Sequence, residues 1–196
     1  NTMCEGVAPL IEKLTVGRVI LRILSNYSTK RLVRGTAVFD KDEVGGQIID
    51  NIILAYQFAA NDPYRAVTHN KGIMNGIIAV ANATGQDTRA IEAAAHAYAA
   101  STGRYSSLTE WKKDKKGNLV GKIELPMSVG TVGGIVNVHP MIKICMKILG
   151  VKSAKDLACI IAATGLAQNF SAIRALASEG IQKGHMSLHA RNIAAA

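Results

Sequence analysis

The sequence predicts an α+β fold. Three observations carry this: apolar residues recur at helical spacing in several segments, two runs of strand character flank a lysine-containing turn, and glycines punctuate the chain between such segments. Met3 to Leu14 places Val7, Leu10, Ile11 and Leu14 on one helical face, and Gly17 ends the run. Val19 to Leu24, short, apolar and partly β-branched, predicts a strand. Lys30 to Phe39 is a basic connection that runs into a second strand at Thr36 to Phe39. From Gly46 onward, Ile48, Ile49, Ile52, Ile53, Tyr56 and Phe58 mark a strongly apolar helix. Asn61, Asp62 and Pro63 end it, because proline disfavours helical backbone in the residue before it. Arg65 to Gly76 then reads as a polar, glycine-containing segment. Gln86 to Ala100 is an alanine-rich helix with Asp87 in its first turn, where the helix dipole favours a carboxylate. Ser107 to Asp114 and Leu119 to Leu125 flank Lys115 to Asn118 and predict a hairpin. Gly130, Gly133 and Gly134 mark a tight loop. Helices are expected after it at about Met141 to Leu149, Ala154 to Thr164 and Gln168 to Ser178, and Gly180 and Gly184 precede a last helical start at His185.

Composition narrows the class. With 196 residues, 48% of them hydrophobic, the chain is long enough for one sizeable core or for a core plus part of a second. Its apolar runs are broken or too short to cross a bilayer and no signal-peptide pattern opens it, so the expectation is a cytoplasmic protein with no membrane partner. Cys4, Cys145 and Cys159 are widely separated in apolar helical patterns, which suits reduced thiols in core positions; no metal site is expected. The formal charge of +9 points to an anionic partner or a merely basic surface. Nucleic acid is one candidate, but the basic residues are scattered apart from Lys112, Lys113, Lys115 and Lys116, and no nucleic-acid motif is present. A phosphorylated ligand such as coenzyme A would use the same charge. Asn1 at the start and Ala194 to Ala196 at the end read as cuts in a longer chain.

Four places could carry chemistry. His69-Asn70-Lys71-Gly72-Ile73-Met74-Asn75-Gly76 sets a lysine among amides and glycines, a pattern that allows close ligand approach and a cation for a developing oxyanion. The ordinary reading of Lys71 is a solvated loop lysine. Asp87 is either a plain helix cap or a carboxylate that holds Lys71 charged. Gly130-Thr131-Val132-Gly133-Gly134 lacks the lysine of a phosphate-binding loop and alone is a turn. His185 and His189 share a helical face, but Met186 stands where a zinc-protease helix needs glutamate, so acid–base work by one of them fits better than zinc.

Taken in order, Asp62-Pro63-Tyr64-Arg65, His69-Asn70-Lys71-Gly72, Thr84-Gly85-Gln86-Asp87, Leu125-Pro126-Met127, Gly130-Thr131-Val132-Gly133-Gly134, Gly165-Leu166-Ala167-Gln168-Asn169 and Gly184-His185-Met186 resemble the blocks of class II HMG-CoA reductases. The resemblance spans essentially the whole chain, and the His-Asn-Lys-Gly form is what points to class II.

That resemblance implies an oxidoreductase interconverting HMG-CoA and mevalonate plus coenzyme A by two hydride transfers from NAD(H) or NADP(H). It implies that Lys71 stabilises the oxyanion, Asp87 tunes Lys71, and His185 protonates the departing thiolate. Arg65, Asn75 and Gln168 would contact the HMG portion, and His189 would be structural. Residues 1–26 would remain from a small ferredoxin-like cofactor domain. Residues 27–196 would form a large domain of helices and antiparallel strands for substrate binding, catalysis and dimerisation, without its C-terminal flap. Asn1 would end the cofactor motif; the rest of that motif and a catalytic glutamate would lie upstream, leaving the chain inactive alone. The family's sites lie between subunits, so a homodimer or larger homo-oligomer follows. Rival readings are a basic nucleic-acid-binding or scaffold protein, indifferent to Lys71, and another coenzyme A enzyme sharing only the glycine loops.

Overall fold

A computed structural model describes residues 1–178 and residue 180. Its elements run α1 (Thr2–Thr15), β1 (Leu32–Phe39), α2 (Lys41–Val44), α3 (Gly46–Asn61), α4 (Pro63–Ala83), α5 (Thr88–Ala99), β2 (Thr109–Lys113), β3 (Leu119–Pro126), a 3-10 turn (Gly134–Asn137), α6 (Pro140–Leu149) and α7 (Ala154–Ala177). The class is α+β: helices pack on a three-stranded antiparallel sheet ordered β1-β3-β2. The expected hairpin forms β2 and β3, with Thr109 opposite Ile123 and Lys113 opposite Leu119. Trp111 faces Gly121 across this pair, where a Cβ would lie 2.4 Å from the indole, so only glycine admits the ring. The buried indole packs beside Phe39 and Phe170, whose rings stack with centroids 4.0 Å apart.

Arg65 to Gly76 is where the structure departs most from the sequence reading. The segment is helical and belongs to α4, 21 residues long. Pro63 starts this helix as well as ending the previous one: it occupies the first turn, where its missing N–H costs nothing, and the Asp62 carboxylate accepts from Tyr64 N at 2.8 Å. The helix is hard to read because its buried face mixes Ala66, Ile73, Met74 and Ile77 with His69, Asn70 and Gly76.

The helices expected on either side of Gly165 are a single one, α7, of 24 residues. Gly165 marks a helix crossing. A Cβ there would fall 2.8 Å from Ile77 Cγ1, and one at Gly76 would fall 2.9 Å from Thr164 O, so each helix supplies a glycine where the other comes closest. By length and composition α7 could span a bilayer. It instead packs against α3, α4, β1 and β3, burying Leu157, Ile161, Leu166 and Ile173.

Val19 to Leu24 forms no strand. No described strand lies beside it, and its backbone donors turn to side chains: Val19 N to Glu12 Oε1 at 2.9 Å and Leu24 N to Asn1 Oδ1 at 3.1 Å. Ile20 and Leu21 are about four-fifths exposed. The cysteines are free, but none fills a core position: Cys4 and Cys145 are half-buried and Cys159 lies exposed on α7.

Candidate functional site

The α4–α7 crossing fixes the site's geometry. Lys71 and Asn75 are one helical turn apart on the exposed side of α4. Gln168 on α7 meets α4 at the next residue, since a Cβ on Gly76 would lie 2.9 Å from Gln168 Cβ. Arg65 is half-buried earlier on α4, and that burial pulls its pKa below the usual guanidinium range. The ion pairs among the described residues, Arg34–Glu124, Lys112–Glu110 and Lys113–Asp50, engage neither Arg65 nor Lys71. One helix therefore offers an anion two cations not matched by carboxylates. Next to Lys71, on the side of Asn75, sits Gly72, where a Cβ would meet nothing within 4 Å. A mid-helix glycine without a packing reason leaves room for something else to approach the backbone.

Asp87 lies elsewhere. It caps α5, accepting from Ala90 N at 3.0 Å, and is exposed at the edge of a cavity of about 570 Å³ that Asn82, Gln86, Ile135, His139 and Cys145 also line. From Lys71 to the end of α4 at Ala83 is about 18 Å at helical rise, so the expected Lys71–Asp87 contact does not form within one chain.

The structure joins two motifs that the sequence left apart. Gln86 Nε2 donates to Gly130 O at 2.9 Å, and Gly130 N donates to Gln86 Oε1 at 2.9 Å, clamping the glycine loop to the α4–α5 turn. Gly85 has φ +68 and no room for a Cβ beside Ile135 and Ile142, which explains the glycine before the clamp. Sequence reasoning assigned Gln86 no role; its position in an ordered motif beside Asp87 was the available signal. Asn1 is exposed, and its amide is engaged with Leu24 N. His185 and His189 lie outside the described residues.

The profile of the family described as Hydroxymethylglutaryl-coenzyme A reductase matches residues 1–190. The chain belongs to that family. Within it, the chain is 62% identical over 195 residues to 3-hydroxy-3-methylglutaryl-coenzyme A reductase of Archaeoglobus fulgidus, covering 99% of this chain and 44% of that protein. It is 38% identical over 199 residues to a probable 3-hydroxy-3-methylglutaryl-coenzyme A reductase of Borreliella burgdorferi, 98% and 46% covered. Among solved HMG-CoA reductase structures, one from Streptococcus pneumoniae superposes with TM-score 0.88 at 47% identity, over 99% of this chain and 48% of that one. A class II enzyme from the same organism, described as bound to NADPH in open conformations, gives TM-score 0.85 at 48% identity, over 99% and 49%. The chain thus spans a little under half the length of the HMG-CoA reductases it matches.

Proposed function

We propose that the complete protein interconverts HMG-CoA and mevalonate plus coenzyme A with NAD(H) or NADP(H), and that this chain carries much of the substrate side of the site. What supports this reading is Lys71 and Asn75 on the exposed side of α4 with Gln168 meeting that helix beside Asn75, and both Arg65 and Lys71 free of carboxylates among the described residues. Arg65 would hold the substrate's carboxylate with a charge-assisted bond. Lys71 would face the reacting carbonyl and stabilise the oxygen as it gains charge. Asn75 and Gln168 would orient the HMG portion, and His185 would protonate the departing coenzyme A thiolate so that it cannot return.

Asp87 would hold Lys71 charged only if the two met across subunits, given the helix length between them. This supports a homodimer or larger homo-oligomer with shared sites. The nicotinamide supplies hydride. Asn1 is tied to Leu24, and the loop at Gly130 leads into a four-residue 3-10 turn, too short for the helix N-terminus that a dinucleotide phosphate uses. We assign residues 1–26 to the cofactor-binding domain and its remaining parts to the rest of the protein, and we place the enzyme in the cytoplasm. A nucleic-acid reading weakens because two of its lysines, Lys112 and Lys113, pair with Glu110 and Asp50.

The test is to follow nicotinamide absorbance with HMG-CoA and the full-length protein, using each cofactor. Lys71→Ala is expected to lower kcat by about 10²–10³-fold, the usual cost of a lost oxyanion donor. Absence of turnover by folded full-length protein would refute the proposal.

A further inference from the structure

A buried polar network lies directly beneath the proposed substrate surface and contains none of its residues. His69 from α4, Thr109 and Trp111 from β2 and Asn169 from α7 are each 4% exposed or less. Asn169 Oδ1 accepts from Trp111 Nε1 at 2.8 Å and from Thr109 Oγ1 at 3.0 Å. His69 Nε2 lies 2.8 Å from Thr109 Oγ1 and 3.2 Å from Asn169 Nδ2. Beside them Asn70, fully buried, donates to Ser106 O at 2.8 Å and accepts from Leu108 N at 3.0 Å. Ser107 Oγ completes the cluster, 3.2 Å from Thr109 Oγ1.

Apolar residues of similar shape would fill this space at little cost or with a gain, because hydrogen bonds contribute only modestly net of desolvation. Direction is what the polar groups add. Apolar packing tolerates a helix that rolls or slides by a fraction of a turn, whereas a closed set of hydrogen bonds holds one geometry. The members sit next to the substrate residues in sequence: His69 and Asn70 precede Lys71, and Asn169 follows Gln168. Successive residues on a helix point about 100° apart, so fixing the buried residue fixes the direction of its exposed neighbour.

Building on the function proposed above, we propose that His69, Thr109, Trp111 and Asn169 are positioning residues. Their network sets the roll of α4 against α7 through β2, and so the placement of Lys71 and Asn75 relative to Gln168. Arg65 is on the same helix and shares that placement. None of the four touches the substrate. Their effect is expected in productive binding of the HMG portion and not in cofactor affinity.

The experiment uses full-length protein carrying Thr109→Val, which keeps the shape and removes the hydroxyl, or Thr109→Ser, which keeps the hydroxyl. Two readouts are taken: steady-state kinetics and amide hydrogen exchange. Thr109→Val is expected to lower kcat/KM for HMG-CoA by about tenfold or more, with cofactor KM unchanged within about twofold. Thr109→Ser is expected to restore most of the loss. Exchange should quicken locally in His69–Gly76 and Leu166–Phe170 while the β1–β3 ladder stays protected. Wild-type kinetics in Thr109→Val would overturn the inference. So would a loss that serine does not rescue and that accompanies faster exchange throughout, the mark of a merely structural contact. If Thr109→Val does not fold, Trp111→Phe removes a single donor and is judged by the same criteria. Should wild-type protein not reduce HMG-CoA, the proposed function falls by itself. The exchange readout then decides the network's role, with local quickening supporting it and unchanged exchange overturning it.

Discussion

Lowering the pH should destabilise this protein through His69 before its carboxylates titrate. Burial, helped by the charge of Arg65, lowers the imidazole's pKa from 6.5 to about 4. Folded protein therefore keeps His69 neutral where the unfolded chain protonates it. The stabilisation is complete above pH 6.5 and declines as pH falls toward 4, because the unfolded state then binds the extra proton. Linkage puts the whole effect at about 3 kcal/mol, of which about 2 kcal/mol is lost between pH 7.5 and 5. With a urea m-value of about 2 kcal/mol/M, the midpoint should fall by about 1 M over that interval on this account alone. Other groups also respond to acid, so the decisive comparison is with His69→Gln, which cannot titrate. Glu124 is one such group: the Tyr98 hydroxyl holds its carboxyl below the ordinary range, burial opposes this and Arg34 adds to it, and this contribution fades only at lower pH, in both proteins. The variant should be less stable at neutral pH but lose about 2 kcal/mol less on going to pH 5. Carbon-13 histidine spectra give the same quantity directly, with the His69 resonance identified by its absence in the variant. An imidazole that titrates at pH 6 or above, or parallel pH slopes for the two proteins, would show the reasoning to be wrong.

Other predictions follow from the helix crossing and the clamped loop. Gly72→Ala should raise the urea midpoint, since alanine favours a helix interior by about 0.5–1 kcal/mol and nothing blocks its Cβ, yet kcat/KM for HMG-CoA should fall. Unchanged kinetics would mean that the open space serves no ligand. Gly165→Ala, chemically the same change, should destabilise by about 1–3 kcal/mol through overpacking against Ile77 and Ile73; a midpoint at or above wild type would contradict the close crossing. Gln86→Leu removes both bonds to Gly130 and should speed limited proteolysis within Gly130–Gly134, mapped by mass spectrometry. Identical cleavage rates would mean that the clamp does not hold the loop.

How much could be read in advance depended on whether a residue's partner was local. The apolar spacing from Ile48 to Phe58 needs only its own periodicity, and α3 formed as expected. The hairpin was readable for the same reason, because its turn lies between its strands. Gly165 and Gly76 were opaque: each looks like a helix breaker until the other helix is in place, and their spatial neighbours lie about 90 positions away in sequence. His69 and Asn70 resemble loop residues for a related reason, since the groups that satisfy them come from β2 and the segment before it and from α7. The site was partly legible. Arg65, Lys71, Asn75 and Gln168 were named from ordered motifs; Lys71 and Asn75 lie one turn apart on the exposed side of α4, and Gln168 of α7 meets that helix beside Asn75. Asp87 was named in the same way, and the length of α4 separates it from Lys71 along one chain. Periodicity carries no information about which subunit a partner comes from.

The reciprocal glycines of α4 and α7 bear on how the chain gains order. Each costs its own helix about 1 kcal/mol relative to alanine and gives nothing back until the other helix is seated. Both helices are thus weaker alone than their lengths suggest, and they should form and melt as one cooperative seam. A partly ordered species that displays Lys71 without Gln168 would be scarcely populated. On the proposed function, substrate recognition would then switch on in a single event, with little opportunity for a half-built surface to hold HMG-CoA unproductively.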